Sequence, residues 1–242
     1  MDARLHLHLD TVFGIRRLEE TARTPDPVAV ALMAGLAGVD GLAAQVRDGK
    51  THDFARLRES VSGLLELGLT PAADLVTTAF DLRPDRVTLL PEDWDGGGLL
   101  GGLDAHVLKN VLKKHVEHLR DADIEVAVRV EPNLDQIKAL HRLGADVAVL
   151  FAGGVSTART RDERRFELTR LKDASMLSAR LGMRVAVVGG LDLRAVEITA
   201  QLAHVDEFHV GHACFARALL LGIERAVVDF RAAIDRGRRR VS

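Results

Sequence analysis

Residues 134–154 read Leu-Asp-Gln-Ile-Lys-Ala-Leu-His-Arg-Leu-Gly-Ala-Asp-Val-Ala-Val-Leu-Phe-Ala-Gly-Gly and hold one complete structural unit. The apolar positions of 134–143 recur with helical spacing, and Gly144 falls where that helix stops. Residues 146–151 follow as a short strand. Its centre, Val147-Ala148-Val149-Leu150, is continuously apolar, as expected for a parallel strand covered on both faces. The Gly153-Gly154 pair then opens a loop.

Outward from this unit the same alternation fills the chain. Strands are predicted at 5–9, 41–46, 69–74, 86–90, 124–130, 146–151, 184–188 and 207–210. Helices are predicted at 25–38, 54–67, 104–119, 134–143, 161–181, 193–202 and 214–234. Pro25-Asp26-Pro27 is a helix-start signal, and Gly68 and Gly182 stand before strands as Gly144 does. Eight strands alternating with helical stretches in 242 residues predict an α/β fold of the (β/α)8 TIM barrel type. An open doubly wound sheet is the competitor. It expects a glycine-rich phosphate loop after its first strand, and Asp10-Thr11-Val12-Phe13-Gly14 lacks that pattern. With no linker or composition shift, residues 1–242 are expected to form a single domain, with a short frayed basic tail at 236–242.

Lys and Arg number 33 against 35 Asp and Glu, a net charge of −2, so bulk attraction to nucleic acid or anionic membrane is not expected. No apolar run approaches the roughly 18–20 residues of a membrane span. One cysteine, Cys214, excludes an intrachain disulfide. The charged N-terminal residues are unlike a signal peptide, and the cytoplasm is the expected location. There is no tyrosine for phenol chemistry, but there are ten histidines.

A barrel carries its chemistry at the C-terminal strand ends. There, His6, His8 and Asp10 share a face by the period of two. Glycines after strands seven and eight, Gly190 and Gly211, precede helix starts, where backbone N–H groups and the helix dipole favour a phosphate; His212 adds a donor. His6-x-His8 has the look of a first pair of metal ligands. Strands five and six offer Arg129, Glu131 and Phe151 but no histidine, and strand eight offers His209 or His212 rather than an aspartate, so no metal site is expected. Cys214 is expected to be a small buried residue. His106, His115, His118 and His141 fall on predicted helices, where solvated or edge positions are expected.

These strand ends carry a resemblance across nearly the whole chain. The motifs are Leu9-Asp10, Pro25-Asp26-Pro27-Val28, Ala37-Gly38-Val39-Asp40-Gly41, Val46-Arg47-Asp48 with His52, and Leu90-Pro91-Glu92. Gly101-Gly102-Leu103-Asp104, Gln136-Ile137-Lys138-Ala139, Val210-Gly211-His212-Ala213 and Ala216-Arg217-Ala218 continue the series. In order and spacing the chain resembles the pyridoxine 5′-phosphate synthase family of vitamin B6 biosynthesis. The resemblance implies a barrel that assembles into homo-oligomers, octamers in the family. It implies condensation of 1-deoxy-D-xylulose 5-phosphate with 3-amino-2-oxopropyl phosphate, with no metal or organic cofactor. It places Asp10, Arg47, His52, Gly190, Gly211 and His212 on the phosphorylated substrates.

The family's proton-transfer positions differ here. Gln45 and Gly189 stand where the resemblance puts histidines, and Thr70, with Asp74 nearby, falls at the position of a strand-three glutamate. His8 replaces an asparagine, Thr11 a histidine, Glu19 or Glu20 an arginine, and Gly98 or Leu99 a threonine. His8 and Glu131 are the candidate replacement acid/base groups. The expectation is a retained phosphate site with the standard catalysis impaired. The alternatives are a non-catalytic paralogue binding a phosphorylated metabolite, and a barrel enzyme for a different phosphorylated carbonyl substrate.

Overall fold

A computed structural model describes residues 3–18, 23–45, 51–71, 75–91 and 101–240. The first half of the chain forms β1 (Arg4–His8), α1 (Asp10–Arg16), α2 (Pro27–Leu36), β2 (Gly41–Gln45), α3 (Thr51–Ser60), β3 (Leu64–Leu69), α4 (Leu75–Leu82) and β4 (Arg86–Leu89). The second half forms α5 (Lys109–Asp121), β5 (Glu125–Val130), α6 (Leu134–Leu143), β6 (Val147–Phe151), α7 (Gly153–Thr157), α8 (Arg161–Arg180), β7 (Arg184–Val188), α9 (Leu193–Thr199), β8 (Glu207–Val210), α10 (His212–Leu221) and α11 (Ile223–Arg239). The strands pair in parallel and in sequence order, and β8 closes on β1, so the fold is the expected (β/α)8 barrel.

The period of two divides each strand between two environments. Leu5 and Leu7 of β1, Leu65, Leu67 and Leu69 of β3, Val126, Val128 and Val130 of β5, and Phe208 and Val210 of β8 face outward into one large apolar layer. Helices close that layer from outside; α6 brings Ile137, Leu140 and Leu143, and α5 brings Leu112, Val116 and Leu119, at the spacing of one helix face. Each such side chain contributes roughly 1.5–3 kcal/mol on burial. The alternate strand residues face the barrel axis. On the β5–β7 side they are small and apolar: Ala127, Val147, Val149 and Ala186 form a separate cluster. On the opposite side they are His6, Glu66, Arg86, Glu207 and His209, all buried.

Several expected boundaries are corrected. Strand three is Leu64–Leu69 rather than 69–74, and the helix before it ends at Ser60 rather than at 67. Phe54, Leu57, Val61, Leu64 and Leu65 carry helical spacing straight across Ser62-Gly63, which masks the break. Gly68 lies inside β3 and ends no helix. The predicted helix 214–234 is two helices that meet at Gly222. Residues 236–239 belong to α11 and do not fray: Arg236 and Arg240 pair with Glu197, and Arg238 donates to the Leu202 carbonyl. His115 is buried on the inner face of α5 rather than solvated.

Candidate functional site

The mouth of the barrel is built from the C-terminal strand ends. His8 closes β1 with its side chain 21% exposed, and its Nδ1 lies 3.7 Å from Asp10 Oδ2. Its Nε2 meets Nδ1 of His209 at 3.0 Å. Asp10 opens α1, and its Oδ1 accepts the Gln45 backbone N–H at 3.0 Å, tying the ends of β1 and β2 together. Thr70 stands just past β3 and is half-buried. His52 is exposed in the first turn of α3. Arg47, Asp74, Glu19, Glu20, Glu92, Gly98 and Leu99 lie outside the described residues.

Glu131 follows β5 with its side chain 43% exposed. Its Oε1 accepts the Gly102 N–H at 3.1 Å and its Oε2 lies 3.9 Å from Arg170. The Leu103 N–H donates to the Arg129 carbonyl at 2.7 Å. Glu131 therefore clamps the 101–103 segment against the strand end.

The two glycine loops differ. Gly211 precedes α10, which has no side-chain cap, and His212 is exposed at its first position. The start of α9 is occupied by Asp192, whose carboxylate accepts the Ala195 N–H at 2.7 Å. An anion is therefore favoured at the start of α10 and disfavoured at that of α9. Gly190 adjoins this region with φ of +61°. Gly189 has φ of +119°, and a Cβ built there lies 2.8 Å from the Phe151 ring and 2.9 Å from the Gly153 nitrogen. No side chain fits at that position without displacing both.

Beneath the mouth lies a buried charged network that the sequence reading missed. Arg86 Nη1 donates to Glu66 Oε2 at 3.2 Å and to Glu207 Oε2 at 2.6 Å, while its Nε donates to Glu125 at 2.6 Å. Arg4 also donates to Glu207, at 2.5 Å, and Arg184 pairs with Glu125. Above this layer His209 Nε2 meets Glu207 Oε2 at 3.4 Å, and the His6 and His209 rings stack with centroids 4.6 Å apart. Glu66 escaped notice because it fell inside the predicted helix 54–67. The signal was present in Leu65, Leu67 and Leu69, which alternate with Glu66 and Gly68.

Burial alone would raise the Glu66 pKa, but His209 and Arg86 outweigh it and hold the carboxyl at about 2. Burial likewise opposes ionisation of Glu207, and hydrogen bonds from His209 and Arg86 depress its pKa regardless. The same balance keeps Arg86 charged: burial disfavours its charge, and Glu207 and Glu66 restore it. Cys214 is buried in α10, and burial pushes its thiol up to about 12, so it is no nucleophile. Among the described residues, no helix is long and apolar enough to cross a membrane.

The family described as Pyridoxal phosphate biosynthesis protein PdxJ matches residues 5–236. A protein named pyridoxine 5′-phosphate synthase from Syntrophotalea carbinolica is 34% identical, over 95% of this chain and 97% of its own. One of the same name from Synechocystis sp. is 35% identical, again over 95% of this chain and 97% of its own. Thiamine phosphate pyrophosphorylase from Pyrococcus furiosus shares the fold alone, with a TM-score of 0.61 and 14% identity over 98% of this chain and 96% of that one. With one family matched across the whole barrel, and relatives of that identity along nearly their full length, the chain belongs to the PdxJ family of pyridoxal phosphate biosynthesis proteins.

Proposed function

We propose that this chain binds phosphorylated small molecules at the barrel mouth and carries out the pyridoxine 5′-phosphate synthase condensation only slowly. Asp10, Arg47, His52, Gly190, Gly211 and His212 make up the binding set, with the uncapped start of α10 facing a phosphate. Arg47 and His52 are assigned to the phosphate of the sugar substrate, an anion that a guanidinium fork suits. The observation that carries the reading is the packing at Gly189. The resemblance puts an acid/base histidine there, and Phe151 with Gly153 leaves no room for any side chain.

Imine formation, phosphate loss and dehydration each need proton transfers, and one positioned acid/base group supplies about 10²–10⁴-fold in rate. Gln45 and Gly189 supply none. The glutamate of strand three is Glu66 in place of the expected Thr70, but it is buried and bonded to Arg86. His8 offers an imidazole at the mouth, held between Asp10 and His209. Glu131 serves the 101–103 clamp first.

Turnover with the two phosphorylated substrates should fall at least about 10²-fold below that of the Synechocystis relative measured in parallel. The chain should also fail to support normal growth of a pyridoxine auxotroph. Equal turnover, or normal growth, overturns the claim of impairment. Crystals soaked in phosphate should show an anion between Gly190 and the start of α10. The His8–Asp10–His209 arrangement favours a second reading, action on another phosphorylated carbonyl compound. It requires turnover of such a compound that His8→Ala abolishes. Phosphate binding with no turnover at all identifies a non-catalytic binder.

The cytoplasm is the proposed location, a reading supported by a single cysteine that is buried in α10 and forms no disulfide. Assembly into homo-oligomers is supported by Leu219, Leu220 and Leu221, exposed at the end of α10. Light scattering that returns only the monomer mass rejects that assembly.

A further inference from the structure

Inside the barrel the imidazoles of His6 and His209 and the carboxylate of Glu66 converge. Each offers one donor atom, and these atoms all lie within 4.8 Å of one another. They come from β1, β8 and β3, three strands held in parallel register on both sides. All three residues are at most 2% exposed. Among the described residues neither ring nitrogen of His6 has a hydrogen-bond partner, a state buried polar groups seldom occupy. Room for that ring is made across the β1–β2 pair, where a Cβ on Gly41 would sit 2.8 Å from the imidazole.

The surroundings orient these donors as outer partners orient metal ligands. Glu207 Oε2 takes Nε2 of His209 and leaves Nδ1 turned toward the cluster. Arg86 holds Oε2 of Glu66 at 3.2 Å, and Oε1 faces His209 Nδ1 at 3.9 Å. On the mouth side His8 Nε2 is 3.0 Å from the same Nδ1. Two nitrogens on one ion stand about 3.0–3.4 Å apart when the metal–nitrogen bonds are roughly 2.0–2.1 Å.

We propose that His6, Glu66 and His209, with His8 as a fourth donor, bind a first-row divalent transition-metal ion. Small side-chain rotations bring the donors to bonding distance, since their ligand atoms already lie within 4.8 Å of one another. Imidazoles with a single carboxylate suit zinc, cobalt or ferrous iron, whereas calcium and magnesium prefer oxygen alone. The site departs from the metal-free chemistry that the resemblance implies, and it does not rest on the condensation reaction.

The test reads binding without substrates, so its outcome is separate from that of the turnover assay. Full-length protein stripped by a chelator is titrated with Zn²⁺ and with Co²⁺ at pH 7, and bound metal is measured by elemental analysis. One ion per chain is expected, with the visible absorption of nitrogen-ligated cobalt and a metal-dependent rise in melting temperature. His6→Asn and Glu66→Gln should each weaken binding at least about 100-fold, and Glu207→Gln, an outer partner, about 10–100-fold. His118→Ala and His141→Ala, on exposed rings, should leave it unchanged. X-ray absorption on the zinc-loaded wild type serves if a variant fails to fold, and imidazole scattering is expected. Less than one ion per chain, an all-oxygen shell, or full binding by His6→Asn and Glu66→Gln each overturns the site.

Discussion

At the scale of the residue, Gly189 and Cys214 make two firm statements. Gly189 combines φ of +119° with the Phe151 ring and the Gly153 backbone where a Cβ would go. Gly189→His should therefore cost roughly 2–4 kcal/mol, from backbone strain and overpacking together, and should restore no activity. Urea denaturation measures the first expectation and the condensation assay the second. Activity gained by that substitution alone would contradict the packing account. Cys214 has its pKa pushed up to about 12 by burial, so at pH 8 almost all of it is the unreactive thiol. A thiol reagent should label it only after unfolding, and rapid labelling of the native protein would show an open α10. At this scale the sequence was partly legible. His8 and Asp10 were placed at the mouth by alternation alone, but Glu66 was lost with its strand, and no local signal announced that Arg86 is buried among carboxylates.

At the scale of the element, legibility followed chemistry at the ends. Residues 134–143 were placed without error because Asn133 caps the first turn and Gly144 turns left-handed at the last. The boundary between α3 and β3 has no comparable marker, and the leucines of 64–69 continue the helical spacing of Phe54 and Leu57. Helix α8 shows what a marked start is worth. Thr160 accepts the Glu163 N–H at 3.1 Å, and the Glu163 side chain accepts the Thr160 N–H at 3.1 Å. Thr160→Ala should cost about 1 kcal/mol in urea denaturation, with no effect on ligand binding at the mouth. A cost near zero would mean that α8 is held by its packing alone.

At the scale of the molecule, the sequence revealed the closure of eight strands because parallel strands announce themselves as unbroken apolar runs. It did not reveal that one side of the barrel axis is hydrocarbon and the other ionic, since inward-facing residues from distant segments must first be brought together. Arg86 joins three of those segments through Glu66, Glu125 and Glu207. Arg86→Met leaves Glu66 and Glu207 buried without that guanidinium and should cost roughly 3–5 kcal/mol in denaturant. A loss under about 1 kcal/mol would mean that the neighbouring Arg4 and Arg184 suffice to hold the layer.

That layer also sets how the protein responds to heat. Arg4, Arg86 and Arg184 face Glu66, Glu125 and Glu207, three cations with three anions, across the N-terminal end of the barrel. Warming weakens the hold of water on ions, so the penalty for burying them falls, while the benefit of burying hydrocarbon levels off. The end of the barrel away from the mouth is thus sealed by the kind of contact that gains on its surroundings as temperature rises. Thermal loosening should begin on the other side of the strands, in the leucine layer beneath the helices.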